Sequence, residues 1–120
     1  MAEHNELGKK GEELAAKHLA EKGYKIKETN WRFGNDEIDI IAEHNNFLVV
    51  VEVKTRQSNY FGEPEEFVTL KKQQFVIRAA NAYIEKKNID LETRFDIVSV
   101  IVTLKGVRVN HIEDAFYPRV

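Results

Sequence analysis

The stretch from Glu37 to Arg56, EIDIIAEHNNFLVVVEVKTR, leaves a folding chain few choices. Ile38, Ile40, Ile41, Phe47, Val49, Val50, Val51 and Val53 are β-branched or aromatic, the types that suit a pleated and largely buried surface. Asn45-Asn46 divides the apolar halves. Asn tolerates the positive φ that both central positions of a type I′ turn require, so the pair predicts a two-residue hairpin turn. Two strands and a tight turn are expected. Yet Asp39, Glu52 and Lys54 lie inside them. A carboxylate buried without a partner is costly, so such residues are rare in core strands. Two acids and a lysine converging at the edge of a core point to a metal site with a catalytic base.

Strand parity sharpens that expectation. Side chains alternate faces, so Glu52 and Lys54 share one. With a two-residue turn at Asn45-Asn46, His44 pairs with Phe47, Asp39 falls opposite Glu52, and Glu37 falls opposite Lys54. Facing Cβ atoms would then lie about 4.5–5.5 Å apart, close enough for two carboxylates to share a divalent cation. A three-residue turn without a bulge would send Asp39 to the other face.

A chain of 120 residues is expected to form one domain spanning 1–120. It has no cysteine, which removes disulfides and thiolate zinc sites and fits a reducing compartment. The polar start MAEHNELGKKGEE does not resemble a secretion signal, and no apolar run is long enough for a bilayer, so the cytoplasm is expected and a membrane is not. A net charge of −2 argues against tight, non-specific nucleic-acid binding by bulk charge. A local rim from Lys9, Lys10, Lys54, Arg56, Lys71, Lys72 and Arg78 would still serve, if those residues share a face.

Taken in order, Glu6 to Lys22 has the apolar spacing of a helix, with Gly23 placed to cap it. Gly8 and Gly11 are poor helix formers there, which reads either as a frayed start or as a close approach by another backbone or a ligand. Tyr24 to Trp31 reads as a strand and Arg32 to Asp36 as a loop. After the hairpin, Gln57 to Pro64 is a polar loop placed to contact a substrate. Glu65 to Lys87 is a long helix, Phe95 to Leu104 a strand, and Val107 to Ile112 a returning strand after Lys105-Gly106. The tail from Glu113 is expected to pack loosely. The order α-β-β-β-α-β-β predicts an α/β fold: a mixed β-sheet flanked by helices.

Asp39 followed by Glu52-Val53-Lys54 resembles the D…(D/E)xK signature of the PD-(D/E)xK restriction-endonuclease-like superfamily, whose αβββαβ core has this element order. More closely, Gly11-Glu12, Glu37-Ile38-Asp39-Ile40-Ile41-Ala42, Val51-Glu52-Val53-Lys54-Thr55-Arg56, Gly62, Lys71 and Arg94-Phe95-Asp96 resemble the bacterial UPF0102 (YraN-like) family. A more distant similarity runs to archaeal Holliday-junction resolvases. This chain carries Asp36 where the family usually has Gly. The resemblance implies a metal-dependent nuclease acting on nucleic acid, DNA foremost, branched or damaged DNA included. Mg²⁺ or Mn²⁺ would be held by Asp39, Glu52 and the Val53 carbonyl. Glu12 would complete the acidic set, directly or through water. Lys54 would orient or deprotonate the attacking water, or stabilise the pentacovalent phosphate. Cleavage of junctions would favour a homodimer. The alternative is a non-catalytic nucleic-acid-binding or scaffolding domain that keeps the fold.

Plainer readings stand beside these. Asp39, Glu52 and Lys54 could be a buried ion-pair cluster, and Glu12 an ordinary exposed acid. Glu37 is expected to face solvent. Arg56, Lys71 and Lys72 are candidates for phosphate contact or for a solvated face. Trp31 and Phe33 could stack on bases, though packing explains them as well. His4, His18, His44 and His111 have no metal-ligand spacing. Asp96, just after Arg94, is expected to pair with a base or cap a turn.

Overall fold

A computed structural model of the chain describes residues 6–57 and 68–118. Seven elements appear in the order α1 (Glu6–Glu21), β1 (Lys25–Phe33), β2 (Asp36–His44), β3 (Phe47–Arg56), α2 (Leu70–Lys87), β4 (Glu92–Thr103) and β5 (Gly106–Phe116). The strands form one five-stranded sheet in sequence order. All its pairings are antiparallel except β3 with β4, which run parallel across the α2 crossover. This is the expected mixed sheet flanked by helices.

Alternation along the strands builds a core on each face. Val49, Val51, Val98 and Val100 pack with Ala15 and Leu19 of α1. Leu48, Val50, Phe95 and Ile97 pack with Val76, Ala79, Ala80 and Tyr83 of α2. β3, central in the sheet, is covered on both sides, which is why its sequence is a near-continuous apolar run.

The hairpin turn forms as its chemistry requires. Asn45 and Asn46 take φ of 50° and 67°, and His44 pairs with Phe47. The register runs from there to Ile40 opposite Val51 and no further. β2 and β3 separate beyond that point, so Glu37 does not face Lys54. The alternation of β2 slips at the same place. Ile41 packs with α2 and Ile40 with α1, as pleating demands, but Ile38 returns to the α2 side. Asn30, within β1, carries a left-handed φ of 52° between Thr29 and Trp31, the partners of Ile40 and Ile38. The kink on both strands falls at Asp39.

Other boundaries shift for local reasons. α1 ends in a Schellman arrangement: Gly23 N–H donates to Ala20 O and Tyr24 N–H to Leu19 O, with Gly23 at φ 93°. α2 begins at Leu70, not Glu65. Thr69 is extended and its side chain accepts from Lys72 N–H, an N-cap that fixes the start. The polar loop and the expected helix start at Glu65 to Phe67 otherwise lie outside the described residues. The tail does not pack loosely as far as Phe116, which is buried and stacks on Phe95 at 5.2 Å. Among the described residues, no helix is long and apolar enough to cross a membrane.

Candidate active site

The separation of β2 from β3 leaves backbone groups of β3 without a strand partner on that side. Asp39 fills the gap: its Oδ2 accepts the Val53 N–H at 2.8 Å. Its carboxyl therefore lies along the sheet toward β3 rather than on either face. Burial is the main influence on it and raises its pKa from 3.8 to about 6. The Val53 N–H and Lys72 pull the value down, while Glu12 and Glu37 push it up.

Glu52 follows Leu48 and Val50 onto the α2 side, where it is 2 % exposed. Burial first, and the negative charge of Asp39 second, hold its pKa well above the usual carboxylate range. Its Oε1 meets Lys72 Nζ at 3.6 Å. Its buried Oε2 has no hydrogen-bond partner among the described residues. Lys54 shares this face and favours ionised Glu52, though more weakly than Lys72 does.

Glu12 arrives from α1. The helix crosses β3 at Gly11, which is buried so close to Thr55 that an added Cβ would overlap that side chain. Gly11 does mark a close approach, but by a side chain rather than by the backbone or ligand expected. That approach sets Glu12 beside Asp39, on the wall of an open cleft of about 250 Å³ that Lys9, Thr29 and Asn30 also line. Gly11→Ala is expected to cost about 1–3 kcal/mol through overpacking, measured as a lowered melting temperature. A double-mutant cycle with Thr55→Gly should give a non-additive result.

Asn30 ties the acids together. Its Nδ2 donates to Glu12 Oε1 at 3.0 Å and to Glu37 Oε2 at 2.9 Å. Arg32 Nη1 donates to Glu37 Oε1 at 3.3 Å. Glu37 therefore does not face solvent: its side chain is 14 % exposed. Asp36 lies elsewhere and receives both Nε and Nη2 of Arg78, at 2.9 and 3.1 Å. Phe75 stacks with that same guanidinium and also carries Lys71 over its ring. The structure thus groups Glu52, Lys54 and Lys72 on the α2 side and sets Glu12 on the α1 side, with Asp39 between the two sets. Arg78 is committed to Asp36, and Lys71 is exposed on α2. Arg56 ends β3, half-buried, beside Ile101 of β4.

The donor set suits a hard cation: two carboxylates, one with a buried oxygen lacking any described partner, and carbonyl oxygen nearby. As the side chains stand, no group of three or more His, Cys, Asp or Glu among the described residues is closed enough to hold a metal. Asp39 and Glu52 are therefore the direct candidates. Glu12, engaged with Asn30, is placed to act at one remove.

The model of the uncharacterised protein family UPF0102 matches residues 11–100. The chain belongs to the UPF0102 family. A UPF0102 protein of Flavobacterium psychrophilum is 53 % identical over 117 residues, 98 % of each chain. One of Phocaeicola vulgatus is 50 % identical over 118 residues, again 98 % of each. One of Porphyromonas gingivalis is 44 % identical over 97 % of this chain and 87 % of its own. The span matched by the UPF0102 model includes Glu12, Asp39, Glu52, Lys54 and Lys72.

A second polar cluster went largely unread in the sequence. Asp96, wholly buried, receives Arg94 through Nε at 2.9 Å and Nη2 at 2.8 Å. His111 Nε2 lies 2.7 Å from its Oδ2, and Asp114 N–H donates to Oδ1. Arg94 Nη2 also donates to Tyr24 Oη. Tyr24 in turn stacks on His44 at 3.9 Å. The adjacency of Arg94 and Asp96 signalled the ion pair; nothing in the spacing signalled His111 or Tyr24.

Proposed function

We propose that the protein is a metal-dependent nuclease that hydrolyses phosphodiester bonds in nucleic acid, with DNA the favoured substrate. One observation carries this reading. Two carboxylates, Asp39 and Glu52, are held together against their mutual repulsion, and the buried Glu52 Oε2 lacks a described partner. Sites that keep like charges together at a cost are typically functional.

Asp39, Glu52 and the Val53 carbonyl would hold Mg²⁺ or Mn²⁺. Such a cation supplies a nucleophilic water at neutral pH and offsets charge on phosphate oxygens. The chain's own groups do the rest. The Val53 N–H fixes the Asp39 carboxyl and so its aim. Lys54, two residues beyond Glu52 on the same face, orients the attacking water or takes its proton. Glu12, on the cleft wall, acts through water. Arg56, Lys71 and Lys72 supply positive charge for the phosphate backbone.

The UPF0102 assignment is consistent with this chemistry and does not by itself supply it. A second reading, a nucleic-acid-binding domain without catalysis, draws on the open state of the acidic set and on Glu12 being engaged with Asn30. Calorimetric titration with Mn²⁺, run beside cleavage of a panel of linear and branched DNA and RNA, separates the two. Mn²⁺ binding with cleavage that stops in EDTA is the expected result. Binding of metal with no panel member cut would favour the non-catalytic reading.

A further inference from the structure

Lys72 stands out from the other basic residues of α2. It comes from a different element than the D…ExK set, yet it is the cation in contact with Glu52. Its main-chain N–H is held by the Thr69 cap at 3.1 Å, so the helix start fixes where the side chain begins. Its Nζ lies 3.6 Å from Glu52 Oε1, longer than the 2.7–2.9 Å typical of a tight charge-assisted bond. The Lys72 side chain is 38 % exposed, while that of Glu52 is 2 % exposed. One partner is locked in the core and the other can leave into water. Glu52 keeps its second oxygen unpartnered among the described residues, so the ammonium only half satisfies it.

We infer that Lys72 is an exchangeable counter-ion of Glu52, one that a divalent cation displaces when it binds between Asp39 and Glu52. The inference rests on the metal-site reading above and adds a role for a residue outside the D…ExK set. In contact with Glu52 Oε1, the Lys72 ammonium offsets part of the charge of the carboxylate pair. The same positive charge opposes the incoming ion, because two cations cannot occupy one carboxylate without repulsion. Once displaced, the ammonium is free for an anionic substrate. Lys72 is thus a positioning residue before loading.

The test measures metal affinity rather than turnover. Mn²⁺ is titrated calorimetrically into the wild type, Lys72→Met and Lys72→Arg at pH 8.5, where proton competition is least. Met keeps the length and apolar stem of the side chain without its charge. Lys72→Met is expected to bind Mn²⁺ about tenfold more tightly than the wild type. Lys72→Arg is expected to stay close to the wild type. The gain in melting temperature from EDTA to saturating Mn²⁺ should likewise be larger in Lys72→Met. Equal or weaker binding by Lys72→Met overturns the inference, as does equal tightening in Lys72→Arg, since charge is then not the cause. No Mn²⁺ binding by the wild type overturns the metal site itself, and this inference with it.

Discussion

Asp39→Asn should lower phosphodiester cleavage by about a thousandfold or more, since in the proposed mechanism it removes one charged ligand of a cation whose contribution would be several kcal/mol. The same substitution should raise the melting temperature of the metal-free protein at pH 8. The two effects have one origin. At pH 8, above its pKa of about 6, Asp39 is ionised beside Glu52, Glu12 and Glu37, an arrangement that is unfavourable to the empty fold and favourable to a cation. Asn keeps the shape, and its carbonyl can still accept the Val53 N–H. Folding holds a proton on Asp39 between pH 3.8 and about 6 that the unfolded chain has lost. Stability of the metal-free protein therefore falls as pH rises through that window, and the penalty is complete above it. Thermal melts in EDTA from pH 5 to 8 should show that slope in the wild type and a flatter profile in Asp39→Asn. Slope left in the variant reports the remaining groups, Glu52 with its raised pKa and His18 with its lowered one among them. Lys54→Ala makes a useful companion: it should lose cleavage while retaining Mn²⁺ binding. Wild-type cleavage by Asp39→Asn would end the metal mechanism.

The hairpin was legible because its determinants are local. Two adjacent Asn residues that accept positive φ set the turn, the turn set the register, and β-branched runs set the strands. The mixed sheet followed from element order. The failures have a common cause, which is chemistry between segments far apart in sequence. The separation of β2 from β3 beyond Ile40 coincides with the left-handed Asn30 within β1, a feature that a strand-like sequence hides. That separation brought Glu37 to Asn30 and Arg32 instead of to solvent. Lys72 looked like one of several lysines on a helix. Its reach to Glu52 depends on where α2 starts, and the Thr69 cap that decides this went unread. Gly11 was only half legible: its unsuitability for a helix was visible, but not that Thr55 would fill the missing Cβ space.

The largest effect on stability is expected away from the carboxylate pair. Asp96→Ala should cost about 3–5 kcal/mol, the range for removing one partner of a buried ion pair. Asp96 is wholly buried, and Arg94, with a side chain 13 % exposed, spends two donors on it. Removal would strip the guanidinium of its two-point partner, leaving it Tyr24 and Glu113, and would take the same acceptor from the His111 ring and the Asp114 N–H. Burial works to raise the Asp96 pKa, but the bonds from His111, Arg94 and the Asp114 main chain outweigh it, and the carboxyl is held below its usual range. A depressed folded pKa contributes stability at neutral pH that is lost as pH falls through the lowered value. Asp96→Asn should thus lose most of its stability deficit relative to the wild type in strong acid, whereas the deficit is full at pH 7. Urea denaturation at both pH values measures this. Asp96 pairs with Val51, beside Glu52, but its side-chain partners Arg94, His111 and Asp114 lie on β4 and β5, so Mn²⁺ affinity of the folded Asp96→Asn protein should stay within about threefold of the wild type. A collapse of metal binding in a protein that is still folded would mean that this buried cluster sets the geometry of the site as well as the stability of the sheet.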